Sequence, residues 1–126
     1  MAFEVYPNEG LRVTPPRASL SKSGVIWINR SAVSHFNLKQ YTKCMLFYDK
    51  EEQKIKLNFS NDSQNKKNLM FRNRESGAEI TSKNFFSYFN ILPSELILCD
   101  LEKGEDENIL ILDLKRGLFK KQRQES

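Results

Sequence analysis

The spacing of apolar residues along this chain changes period several times. Val25 to Ile28 is a short apolar block behind a turn glycine, Gly24, and predicts a strand. From Arg30 the spacing becomes helical, with Ala32, Val33 and Phe36 on one stripe. Asn29 stands where an N-cap belongs, and Asn37 where a left-handed residue ends a helix. Residues 43–59, "KCMLFYDKEEQKIKLNF", are an apolar block, a charged turn and then alternation at Ile55, Leu57 and Phe59. That pattern predicts a hairpin of half-buried strands.

The same plan returns 53 residues later. "RASLSKSGVIWINRSAVSHFNL" (17–38) falls without a gap on "MFRNRESGAEITSKNFFSYFNI" (70–91). Gly24 meets Gly77, Arg30 meets Lys83, and Phe36-Asn37 meets Phe89-Asn90. Ser82 takes the N-cap place, and Phe85, Phe86 and Phe89 form the second stripe. "SELILCDLEKGEDENILILDL" (94–114) repeats the hairpin with a longer acidic turn. The expected fold is therefore mainly β with two short helices (α+β), a pseudo-two-fold β-barrel of two ββαββ-type repeats. One domain, 17–114, is expected to hold repeat 17–59, a polar linker 60–68 and repeat 69–114. Residues 1–16 read as an N-terminal arm or hairpin around Pro7-Asn8-Glu9-Gly10. Residues 115–126 read as a basic tail, mobile beyond Gly117.

Composition adds bounds. The 126 residues suit one domain, and 39% apolar with 29% charged residues is ordinary for a globular protein. No apolar run reaches the ~20 residues of a membrane helix, and the N-terminus lacks a signal-peptide pattern, so a cytoplasmic location is expected. Cys44 and Cys99 sit inside apolar runs without metal-site spacing and read as buried thiols. The net charge of +4 is uneven: residues 1–60 hold nine Lys/Arg against five Asp/Glu, and residues 61–126 hold eleven of each. A mild basic excess suits acidic partners.

Residues 19–57 resemble the AbrB/SpoVT/MazE swapped-hairpin family. Ser23-Gly24 matches its turn, Val25–Ile28 its second strand, Arg30–Phe36 its helix and Lys54–Leu57 its closing strand. The second half matches more faintly. The resemblance implies a cradle-loop barrel that binds DNA, here with both halves in one chain, so a monomeric pseudo-dimer is expected. At Val25, Ala78, Asn29, Ser82, Val33 and Ser34 the chain departs from the family's usual residue types.

Catalysis is not expected. His35 is a lone histidine, the glycines are single turn residues, and the acidic run 102–107 lacks calcium-loop spacing. No cofactor and no metal are expected. The candidate DNA contacts are Arg17, Lys22 and Arg30, then Arg72, Arg74 and Lys83, with anion-binding N–H groups at the two helix starts. Lys115, Arg116, Lys120, Lys121 and Arg123 form a second basic patch, for nucleic acid or a protein partner. Phe71, beside Arg72, is the aromatic placed for base stacking. The competing classes are a protein-interaction adaptor or antitoxin-like module that has lost DNA binding, and a single-strand binder.

Overall fold

The computed structural model describes residue 3, residues 15–115 and the backbone of 116 and 118–119. Strands β1 (Arg17–Leu20) and β2 (Val25–Asn29) lead into helix α1 (Arg30–His35), a 3-10 turn (Leu38–Gln40) and the hairpin β3 (Lys43–Asp49) and β4 (Lys54–Ser60). After a loop come β5 (Leu69–Met70), β6 (Arg72–Arg74), β7 (Gly77–Thr81), helix α2 (Lys83–Tyr88) and the hairpin β8 (Ile97–Lys103) and β9 (Ile109–Asp113). A last strand, β10 (Leu118–Phe119), closes the described chain.

All strands join one antiparallel sheet in the order β5-β3-β4-β9-β8-β1-β2-β7-β6, with β10 beside β8. The two ends of that order, β5 and β6, are neighbours in the chain, separated by Phe71 alone. The sheet therefore curls into a nearly closed barrel. Alternate residues fill its inside: Leu20, Ile26, Ile28, Ile55, Leu57, Phe59, Ile80, Leu110 and Leu112 are each at most 1% exposed. Burying these side chains removes most of their apolar surface from water, at about 1.5–3 kcal/mol each.

The duplication is written into the strand pairing. β2 and β7 pair Ile26 with Ile80 and Trp27 with Glu79. A 53-residue offset carries Ile26 onto Glu79 and Trp27 onto Ile80. Exchanging the halves therefore returns the same ladder. β4 and β9 behave alike, with Leu57 opposite Leu110, its own equivalent. A pseudo-two-fold axis crosses both ladders. The expected mainly β, two-helix barrel is the architecture observed, with the first strand of the second unit split into β5 and β6 on either side of Phe71.

The helix ends follow suit. Asn37 and Asn90 take left-handed backbone, with φ of 55° and 57°. Asn tolerates this region because its side chain is short and polar, whereas an alanine there is strained by about 1–2 kcal/mol. Asn90→Ala is expected to lower stability by about 1 kcal/mol and Asn90→Gly to stay within about 0.5 kcal/mol, as read by urea unfolding. Equal stability of Asn90→Ala and the wild type would contradict the assigned conformation.

Several expectations change. Asn29 is a true cap, its Oδ1 accepting from Ala32 N–H at 2.9 Å. Ser82 is not: its side chain makes no cap bond to α2. The Ser82 N–H and hydroxyl both donate to the Gly24 carbonyl, at 2.8 and 3.0 Å. Ser82 is buried, so its hydroxyl takes the nearest carbonyl and ties the two halves instead. Of the second stripe, Phe86 is fully buried, Phe85 packs at the core's margin, and the Phe89 ring lies 5.2 Å from those of Phe85 and Tyr48. Phe71 is no stacking platform. It is 3% exposed, its ring 4.8 Å from that of Phe59, because the chain kinks there to turn it inward. Residues 118–119, expected to be mobile, pair with Leu98 and Ile97 on β8. The strand lies along the same edge of β8 that β9 uses, so it extends an existing ladder.

Candidate nucleic-acid interface

Strand alternation decides which side chains leave the barrel. On β8-β1-β2-β7-β6 the inward set is Cys99, Ala18, Leu20, Ile26, Ile28, Ala78 and Ile80. The register then stacks the outward set in two transverse rows. One runs Leu98, Ser19, Trp27, Glu79, Arg72. The other runs Asp100, Arg17, Asn29, Gly77, Arg74, with the Arg17 N–H donating to Asn29 Oδ1 at 3.1 Å. Arg17, Arg72 and Arg74 thus share one outer face.

Two of these cations are already paired. Arg17 Nε lies 3.2 Å from Asp100 Oδ1, and Arg74 Nη2 lies 2.7 Å from Glu79 Oε1. Such exposed pairs contribute little to stability, about 0–1 kcal/mol. Lys22, Arg30, Arg72 and Lys83 form no ion pair among the described residues and are exposed.

The β2-β7 ladder spaces the rest. Arg30 follows Asn29 at the end where Asn29 faces Gly77. Lys83 lies at the other end, where Thr81 faces Val25, and Lys22 sits in the turn before β2. Five paired residues separate these ends, roughly 17 Å at ~3.4 Å per residue. Under the 53-residue exchange only Arg30 and Lys83 are equivalents. Arg17, Lys22, Arg72 and Arg74 exchange with Met70, Glu75, Ser19 and Ser21. The face is symmetric in backbone and asymmetric in charge.

The helix starts offer fewer free N–H groups than expected. Each helix has six residues, and the Ala32 N–H is already held by Asn29. The positive charge at the two helix starts is therefore that of the Arg30 and Lys83 side chains. Trp27 is half-buried. A Cβ on Gly77 would stand 2.7 Å from Trp27 Cζ2, so the indole packs on the bare glycine backbone.

A depression of about 370 Å³ lies between α1 and the β6-β7 turn, lined among others by Arg30, Ser34, Lys39 and Arg74. Lys39 escaped the sequence reading. It lies two residues past Asn37, and its meeting with Arg74 depends on β6 lying beside α1, which no local pattern states.

In the tail, Lys115 Nζ lies 3.9 Å from Glu52 Oε1, and Arg116 ends a 3-10 turn. Lys120, Lys121 and Arg123 fall outside the described residues, as does the hairpin expected at 7–10. His35 is exposed, its ring edge-on to Phe36 at 4.7 Å. Burial pushes the Cys44 thiol far up, and burial with nearby Asp100 and Asp113 pushes Cys99 up to about 12. Both thiols stay protonated at neutral pH and are poor nucleophiles. Among the described residues no three His, Cys, Asp or Glu side chains gather as a metal site, and no helix is long and apolar enough to cross a membrane. No family model, no curated protein and no solved structure matches this chain.

Proposed function

We propose that this protein is a non-enzymatic DNA-binding protein, an AbrB-like cytoplasmic regulator that meets duplex DNA with the outer face of its β2-β7 ladder. One observation carries the reading. A pseudo-two-fold ladder carries a cation at each end, Arg30 and Lys83, with Arg17, Arg72, Arg74 and Lys22 around them. An array of that kind suits the regular phosphate spacing of a duplex backbone. The chain supplies both halves, so the binding unit is a monomer of 14.8 kDa.

A labelled duplex of mixed sequence tests this by fluorescence anisotropy. Binding is expected at low salt, with log K falling linearly in log salt. Replacing Arg17 and Arg72 together by alanine is expected to weaken binding on every sequence. The salt slope should flatten by about 0.9 for each phosphate that the variant no longer neutralises. An undetectable complex at low salt overturns the reading.

A protein-interaction module is the second reading, and one observation favours it. Tyr88 is 83% exposed and Leu92 40% exposed, both beyond the buried face of α2. An apolar partner surface would bind there with little salt dependence.

A further inference from the structure

We infer that the depression beside α1 is a phosphate site, and that it makes this pseudo-dimer hold nucleic acid mainly at the α1 end of its β2-β7 ladder. The inference rests on the DNA-binding reading above. Three cations from three separate elements converge there: Arg30 on α1, Lys39 on the 3-10 turn and Arg74 on β6. Arg30 and Lys39 form no ion pair among the described residues. Glu79 accepts from Nε of Arg74 at 2.8 Å and pairs with its Nη2, which fixes the guanidinium and leaves other N–H donors free. The Ser34 hydroxyl adds a neutral donor. Glu75 is the carboxylate in the lining and Glu79 sits on Arg74, so three positive charges stand against two negative. At about 370 Å³ the depression admits a phosphate with its attached sugar.

The α2 end lacks the same set. Exchange by 53 residues places Lys83 for Arg30, Ser87 for Ser34 and Lys22 for Glu75, but Leu92 for Lys39 and Ser21 for Arg74, so two lysines stand there without a guanidinium. Its backbone is closed as well. A Cβ on Gly24 would stand 2.4 Å from Lys83 Cα, because Ser82 draws the start of α2 onto the Gly24 carbonyl. At Gly77 the nearest atoms are Ile28 O and the Trp27 ring, and Gly77 lines the depression together with Arg30. Among the described residues, the cluster of two arginines and a lysine thus forms at the α1 end. A charge-assisted bond to phosphate is strong and directional, so this pocket sets the grip of the whole face.

The test compares Arg30→Ala, Lys39→Ala and Lys83→Ala for binding to the mixed-sequence duplex at low salt. All three residues are exposed, so the variants are expected to fold, and a thermal melt checks each. The inference expects about tenfold weaker binding for Arg30→Ala, a similar loss for Lys39→Ala, and less than twofold for Lys83→Ala. Equal losses at Arg30 and Lys83 with none at Lys39 overturn it, while the DNA-binding reading stands. If the wild type binds no duplex, that reading falls, and a second arm decides the pocket. Inorganic phosphate is titrated while the Nε–Hε signals of the arginines are followed by NMR. Saturable shifts at Arg30 and Arg74, abolished in Lys39→Ala, keep the pocket as a site for free phosphate. No shift overturns it.

Discussion

Gly24→Ala is expected to destabilise the protein by roughly 3 kcal/mol and to lower its Tm by roughly 10 °C. Two independent causes add. Gly24 has φ of +84°, where a side chain is strained. An added Cβ would also stand 2.4 Å from Lys83 Cα and 2.9 Å from Lys83 N, both backbone atoms that no rotamer change can clear. The chain must move α2 away from the turn, which stretches both Ser82 bonds to the Gly24 carbonyl. Ser23→Ala is the control. Ser23 is exposed and its hydroxyl meets that of Ser21 at 2.9 Å, so the loss should stay within about 0.5 kcal/mol. Urea unfolding followed by circular dichroism reads both variants. A Gly24→Ala midpoint equal to that of Ser23→Ala would show that α2 does not sit on the turn.

Gly24 marks the boundary of what a sequence reader can see. The turn, the strand after it and the paired asparagines are local signals, and each follows from backbone sterics or side-chain period. Asn37 and Asn90 adopt left-handed backbone because nothing but their own geometry and the end of a helix is involved. The α1 cap is local too, since Asn29 reaches a donor three residues away. Ser82 occupies the matching place but answers to Gly24, 58 residues distant, so pattern alone misassigns it. Phe71 fails the same way. Its cationic neighbour suggests exposure, yet the closing of the barrel demands a bulky residue beside Phe59. For the interface, the cations are legible as types. Their grouping is not, because it depends on register across β8-β1-β2-β7-β6 and on β6 lying beside α1.

Leu57→Ala and Leu110→Ala are each expected to cost about 3 kcal/mol, and the two costs should match closely. Both leucines are wholly buried, one on β4 and one on β9, and they face each other across the ladder. Each is the other's equivalent under the 53-residue exchange, so each looks into nearly the same surroundings. Truncation removes three buried carbons and leaves a cavity that a closed sheet cannot collapse around, which places the loss within the ~2–5 kcal/mol range of buried leucines. Directly opposed side chains share that cavity, so the double variant is expected to depart from additivity by at least about 0.5 kcal/mol. Urea midpoints of the four proteins close the cycle. Single costs differing by more than about 2 kcal/mol would show that the pseudo-two-fold axis relates backbones without relating their packing. In that case the asymmetry seen in the charges would reach into the core. Matched costs confine the asymmetry to the surface, where a duplicated barrel can change one half's cations while its common core stays intact.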